Sequence, residues 1–123
     1  MKEKSKYMDR VYHFKGKWDV PSICGLKVVE KPDKTIVIAT NLYDENPGTS
    51  ISRWSAQLAT GICNELKIDP GKLLFIEHNP DIRSRLDFYK ETFDIVTFHR
   101  EEDHFTQPQW KRISREEVDE LIE

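Results

Sequence analysis

Six strand-like segments of six to ten residues, separated by turn residues, and two segments with helical periodicity occur along this chain. In six segments, bulky or β-branched residues alternate with polar ones or follow one another, and both patterns are typical of strands. The predicted strands are Arg10–Trp18, Leu26–Lys31, Thr35–Thr40, Lys72–His78, Phe93–Arg100 and His104–Ile113. The intervening "DVPSICG" is predicted to be a loop because Pro21 and Gly25 punctuate it.

The clearest local pattern is "LKVVEKPDKTIVIAT". Pro32 and Asp33 supply turn chemistry between two β-branched runs, which predicts a hairpin. The second run, "TIVIA", is apolar on successive residues, so we expect a central strand that is covered on both faces or covered by a partner. Pro108 cannot donate to a ladder, so the last strand is predicted at an edge.

Two segments have helical periodicity. In Ser50–Lys67, one apolar stripe contains Ile51, Leu58, Ile62 and Leu66, and "DPGK" ends the helix. At the C-terminus, Ser114 and Glu117 have the spacing of a capping box, which predicts a short helix with an apolar side.

These elements predict an α+β fold in the order βββαβββα. We expect a mostly antiparallel sheet, one long helix packed on a face, and a short C-terminal helix. The first helix lies between two groups of strands, which allows one parallel pairing that the pattern does not resolve. The 123 residues fit a single domain, 1–123, with residues 1–8 expected to be mobile.

Composition narrows the function classes. The net charge of −3 argues against a nucleic-acid binder, which normally presents a basic face. No apolar run is long enough to cross a membrane, and the N-terminus lacks the apolar stretch of a secretory signal. Cys24 and Cys63 have no metal-binding spacing and are expected to be free thiols in a cytoplasmic protein. The sequence indicates no cofactor and no oligomeric state.

The segment "ENPGTSISRW" is the first candidate site. A helix N-terminus has unsatisfied N–H groups and a partial positive charge, and no acid occurs in the predicted helix before Glu65. Glycine, hydroxyl and guanidinium groups at this end are suited to an anion. The candidate anion-binding residues are Gly48, Thr49, Ser50, Ser52 and Arg53.

The same segment has a purely structural interpretation. Thr49 or Ser50 would then be an ordinary N-cap, and Asp44 or Glu45 would neutralise Arg53. The segment lacks the lysine of a P-loop and the GxGxxG spacing. Both interpretations stay open at this point.

The end of the fourth predicted strand, "IEHNP", offers the candidate catalytic residues Glu77 and His78. Strand ends beside loops often carry function, and histidine can act as acid or base near neutral pH. Adjacent strand residues point to opposite faces, so the two side chains cannot address one substrate while the strand continues. The alternative is a polar strand end followed by an Asn79-Pro80 turn.

Other chemistry is weakly indicated. "HREEDH" contains two histidines and three acids, but it is predicted to be a solvent-facing hairpin turn, and we assign no metal site. No GxSxG motif occurs, and Cys63 fits a core position better than a catalytic one. A hydrolase would become plausible if His78 or His99 reached Ser50 in the fold.

The combination of "GLKVVEKPDKTIVIAT", "NPGTSI", "LLFIEHNP", "FDIVTF" and "WKRISREEVDELI" resembles a group of small bacterial proteins with no assigned activity. The likeness runs from about Leu26 to the C-terminus. It implies a single bacterial domain and carries over no catalytic residue.

Two functions fit these observations. The first is a non-enzymatic binding or regulatory module that recognises a small anion or a protein partner. The second is a small enzyme acting on a phosphorylated or carboxylated substrate. In the enzyme, the residues of the candidate anion site would hold the anion, and Glu77 or His78 would move protons.

Overall fold

The structure is a computed structural model of the chain, and it describes Tyr7 and residues 9–15, 21–41, 54–80 and 91–123. Six strands form one sheet whose spatial order follows the chain order. The strands are β1 (Arg10–Lys15), β2 (Pro21–Glu30), β3 (Thr35–Asn41), β4 (Leu73–Asn79), β5 (Thr92–Glu101) and β6 (His104–Ile113). The helices are α1 (Ser55–Leu66) and α2 (Arg115–Ile122), with a short 3₁₀ helix at Pro70–Lys72.

The sheet is mixed, so the prediction of a mostly antiparallel sheet is wrong in this respect. β3 and β4 are parallel, whereas every other neighbouring pair is antiparallel. The physical reason is the connection through α1. A helix between two adjacent strands brings the chain back to the end of the sheet where the first strand began, so the two strands run parallel. The 3₁₀ helix also adds an element that the predicted order βββαβββα lacked.

Two apolar clusters lie on opposite faces of the sheet. On the face that we call the α1 face, Leu58 and Ile62 of α1 pack over Val37, Ala39 and Phe75. On the other, the α2 face, Val118 packs with Ile36, Ile38, Ile76 and Phe93. β3 is therefore a central strand buried on both sides, which confirms the prediction from "TIVIA".

α1 differs from its predicted bounds, whereas α2 begins at its predicted cap. α1 has 12 residues and begins at Ser55, five residues after the predicted start, so the long helix is shorter than expected. Its last residue is Leu66, and the C-cap Lys67 takes the left-handed conformation (φ 57°) that glycine usually occupies at the end of a helix. α2 begins with the predicted capping box between Ser114 and Glu117.

Residues 21–25 and Tyr7 contribute to the fold although their local sequence patterns are weak, while residues 1–6 and 8 of the terminus predicted to be mobile lie outside the described residues. Pro21–Gly25, predicted as a loop, belongs to β2, because proline is tolerated as the first residue of a strand. Tyr7, predicted within a mobile terminus, is fully buried in the cluster on the α2 face. β6 is an edge strand, and Glu102 and Asp103 form the turn before it, as predicted.

None of the helices that the structure describes has the length and apolar character that crossing a bilayer would need.

Candidate functional site

Polar side chains concentrate where the parallel strands β3 and β4 end. Asn41 and Asn79 are the last residues of these strands, and the Asn41 amide donates to Asn79 Oδ1 over 3.3 Å. In sheets with parallel strands, ligands bind preferentially at the carboxyl ends of the strands, where connections leave in different directions. The carboxyl ends of β3 and β4 are therefore the candidate position for a site.

Glu77 is the unusual residue on the α1 face. Two residues after Phe75, its side chain lies on the same face, and only 1% of the residue is exposed. Oε1 accepts a 3.1 Å hydrogen bond from the Trp110 indole, whereas Oε2 has no partner among the described residues. Burial raises the pKa of Glu77 to about 7, the Trp110 hydrogen bond opposes this rise, and the nearby Asp94 charge adds to it.

The neighbouring strands place a charged pair beside Glu77. Asp94 lies directly opposite Glu77 in the β4–β5 register, and Arg112 lies opposite Asp94 in the β5–β6 register. Arg112 Nε donates to Asp94 Oδ1 over 2.9 Å, and the arginine side chain is mostly exposed. Glu77, Asp94 and Arg112 therefore form a row across β4, β5 and β6, with the cation on the edge strand.

His78 lies on the opposite face and is completely buried. Its Nδ1 lies 3.0 Å from Thr40 Oγ1, and its Nε2 lies 2.7 Å from Glu91 Oε2. Its ring stacks on Phe93 with the centroids 4.4 Å apart. Burial lowers the pKa of His78, while the Glu91 hydrogen bond and charge oppose this change and Arg115 adds to it.

This cluster connects the sheet to α2 and to the N-terminal segment. The Tyr7 ring meets the His78 ring edge-on at 5.4 Å, and the Tyr7 hydroxyl donates to Asp119 of α2 over 2.5 Å. Arg115, also in α2, has Nε 3.6 Å from Glu91 Oε1. The contacts of His78 thus hold separate parts of the fold together.

Thr40, His78 and Glu91 have the connectivity of a hydroxyl nucleophile, a base and an orienting carboxylate. A nucleophile must also reach a substrate, and Thr40 is only 1% exposed while His78 is fully buried. This arrangement therefore fits a structural role better than acyl transfer.

The predicted catalytic residues, Glu77 and His78, do not share one site in the structure. Glu77 and His78 lie on opposite faces, as the strand alternation requires, and both are buried, two residues and one residue before the end of β4. The five candidate anion-binding residues, Gly48, Thr49, Ser50, Ser52 and Arg53, lie outside the described residues. The α1 end that is described has Trp54 as N-cap, with no side-chain cap bond and no acid in the first turn.

The "HREEDH" segment and Cys63 are not arranged for catalysis in the structure. The "HREEDH" segment forms an exposed hairpin turn, as predicted. A cavity of about 80 Å³ lies between this hairpin and α1, with Cys63, Asn64 and Arg100 in its wall. Burial raises the pKa of Cys63 to about 11, so its thiol stays protonated at neutral pH, and both cysteines are free and buried.

No protein-family model, curated protein or solved structure matches this chain. The resemblance to small bacterial proteins therefore stays a prediction.

Glu77 is predicted from the sequence as a site residue, but its contact with Trp110 and its position beside Asp94 and Arg112 are not. One available signal was the continuous apolar run before Glu77, which already indicated a strand buried on both faces. Polar residues that continue such a strand are expected to be buried as well. The Trp110 contact crosses 33 positions of sequence, and no local pattern could have revealed it.

Proposed function

We propose that this domain is a non-enzymatic binding module whose ligand contacts Glu77 on the α1 face, at the carboxyl ends of β3 and β4. The observation that carries the proposal is the buried Oε2 atom of Glu77, which has no hydrogen-bond partner in the described part of the chain. Buried polar atoms are nearly always paired, so an unpaired one requires a functional or structural reason. A ligand that supplies the missing partner is such a reason, and it reaches Oε2 when the half-exposed side chain of Trp110, which is bonded to Glu77, moves aside.

The position of Glu77 supports this proposal. The residue lies two positions before the end of β4, which is parallel to β3. In open parallel sheets, ligands bind outside the carboxyl ends of the strands. The half-exposed Trp110 connects the buried carboxyl group to the surface. Tryptophan is also enriched at protein interfaces, so a protein partner is consistent with the same position.

A small enzyme acting on a phosphorylated or carboxylated substrate is the second candidate function. It is favoured by the pKa of Glu77, which at about 7 suits a general acid or base at neutral pH. His78 would not share this role, because it lies on the opposite face with both ring nitrogens engaged. Binding of the anionic group by Gly48, Thr49, Ser50, Ser52 and Arg53 stays a prediction.

A thermal-shift screen over phosphates, nucleotides, carboxylates, amines and metal ions tests both functions. It uses the parent protein, Glu77→Gln and Arg53→Ala. A compound that stabilises the parent and Arg53→Ala, but not Glu77→Gln, supports the proposed site, because a ligand raises stability only where it binds.

Stabilisation that is lost only in Arg53→Ala would instead place the ligand at the predicted anion site and contradict a Glu77 site. No stabilisation of the parent by any compound in the screen would overturn the binding proposal. Turnover of a phosphorylated or carboxylated compound by the parent, lost in Glu77→Gln, would favour the enzyme.

A further inference from the structure

The strand β6 combines an open backbone edge with positive charge. Among the described strands it pairs only with β5, so its outer side presents backbone N–H and C=O groups at every second residue. All four residues from Gln109 to Arg112 are exposed, and their side chains alternate between the two faces of the sheet. No acidic residue occurs in β6, although the whole chain has a net charge of −3. An edge of this kind can accept an additional strand from a partner.

The part of β6 that is suited to pairing is its C-terminal half, Gln109–Ile113. Gln107 has a positive φ of 52°, and Pro108 has no N–H group to donate. From Gln109 to Ile113, by contrast, the strand is in continuous register with β5. A partner strand is therefore expected along this short segment and not along the whole of β6.

The side chains of this segment define the chemistry of the partner. Trp110 is 45% exposed and lies on the α1 face, whereas the exposed Lys111 points to the α2 face. Arg112 is paired with Asp94, but Lys111 has no ion pair within the described part of the chain. Side chains of opposite charge on neighbouring strands stabilise the pairing. The best partner strand therefore places acidic residues on the side of Lys111 and apolar residues on the side of Trp110.

We propose that the segment Gln109–Ile113 of β6 docks an extended acidic segment of another protein as an additional strand. Backbone hydrogen bonds along the open edge hold this segment, and its carboxylates lie beside Lys111. The inference goes beyond the proposed function, because it involves the outer edge of β6 and not Oε2 of Glu77.

Two other occupants fit less well. A second copy of the chain would lay β6 against β6 and bring the cations Lys111 and Arg112 of each copy close to those of the other. Like charges on edge strands oppose such pairing. A nucleic acid would supply phosphates, but two neighbouring cations on a chain of net charge −3 make a small basic surface for such a partner.

The test is an NMR titration of the full chain with the acidic peptide acetyl-Thr-Glu-Val-Glu-Val-Glu-Thr-amide. Two matched peptides serve as controls, one with lysine in place of each glutamate and one with proline in place of each valine. The first reverses the charge, and the second keeps the charge but interrupts a strand ladder. In the protein, Lys111→Glu reverses the charge at the edge, and Lys72→Glu makes the same change at an exposed lysine outside β6.

We expect saturable shifts at the backbone amides of residues 109–113 with the acidic peptide, together with slower hydrogen exchange at every second amide of this segment. Lys111→Glu should weaken binding about tenfold, because attraction to the glutamates becomes repulsion, and Lys72→Glu should leave it nearly unchanged. Equal binding of the lysine peptide or of the proline peptide would overturn the proposal. Shifts that occur only outside β6, or no shifts at all, would do the same, as would a chain that sediments as a dimer with its β6 amides already protected.

Discussion

Replacing Glu77 with glutamine should stabilise the domain above about pH 7 and leave its stability nearly unchanged near pH 4. Glutamine keeps the shape of the side chain, and its carbonyl oxygen can still accept the hydrogen bond of Trp110. It removes the ionisation of a residue that is only 1% exposed. The variant therefore isolates the free energy of holding a charge at this position.

The magnitude follows from the two pKa values of Glu77. In the unfolded chain the carboxyl group loses its proton near pH 4.5, whereas burial holds the proton on the folded protein up to about pH 7. Between these values the folded state binds more protons than the unfolded state, so the free energy of unfolding falls as pH rises. The full loss is about 3 kcal/mol, because a tenfold change in an ionisation constant corresponds to about 1.4 kcal/mol.

Urea unfolding of both proteins over a series of pH values measures this difference. Other titrating groups, including His78, are present in both proteins and cancel when the two curves are subtracted. The difference should be near zero below about pH 4.5, grow to about 3 kcal/mol in favour of Glu77→Gln by about pH 7, and stay constant above it. Glu101→Gln makes the same chemical change at an exposed position and serves as the control.

A difference that does not vary with pH would refute the reasoning, because the raised pKa of Glu77 would then be absent. A difference that grows towards acid pH would mean that the folded protein stabilises the ionised form. That result would require a donor to Oε2, contrary to the observed geometry.

Three further variants test other parts of the structure. Lys67→Gly should raise the free energy of unfolding by about 0.5–1 kcal/mol in urea, because glycine adopts the left-handed α1 terminus without steric cost; a loss of stability would contradict this. Ser114→Ala should cost about 1 kcal/mol by removing the capping box of α2, and an unchanged thermal midpoint would argue against that bond. His78→Asn should cost about 1–3 kcal/mol near pH 8, since Glu91 loses its buried partner. The parent should lose stability below pH 6.5, because the pKa of His78 is lowered in the folded state and the unfolded chain therefore binds the proton first. His78→Asn should lose less stability over this range; an equally steep acid dependence in the variant would count against a buried neutral imidazole.

Local patterns in the sequence predicted most of the elements but not how they combine. The capping box at Ser114 and the apolar run of β3 report interactions within a few residues, so they could be identified directly. The parallel pairing of β3 and β4 depends on where α1 packs. The strand character of Pro21 depends on pairing with Lys15 of β1, which the local "DVPSICG" pattern does not encode.

The candidate site shows the same limit. Strand alternation correctly predicted that Glu77 and His78 point to opposite faces. Their partners come from distant parts of the chain: Trp110 of β6 for Glu77, and Thr40 and Glu91 for His78. The pKa of Glu77 arises chiefly from burial, which depends on the completed fold and cannot be calculated from neighbouring residues in sequence.

The most direct test of the central claim is the pKa of the Glu77 carboxyl group, measured by ¹³C NMR on the intact protein and assigned with Glu77→Gln. The structure predicts a midpoint of about 7, displaced upward because the charge is buried with one oxygen unpaired. A midpoint at or below the usual 4.5 would show that Glu77 is solvated or fully bonded, and the basis for a site at this residue would be lost.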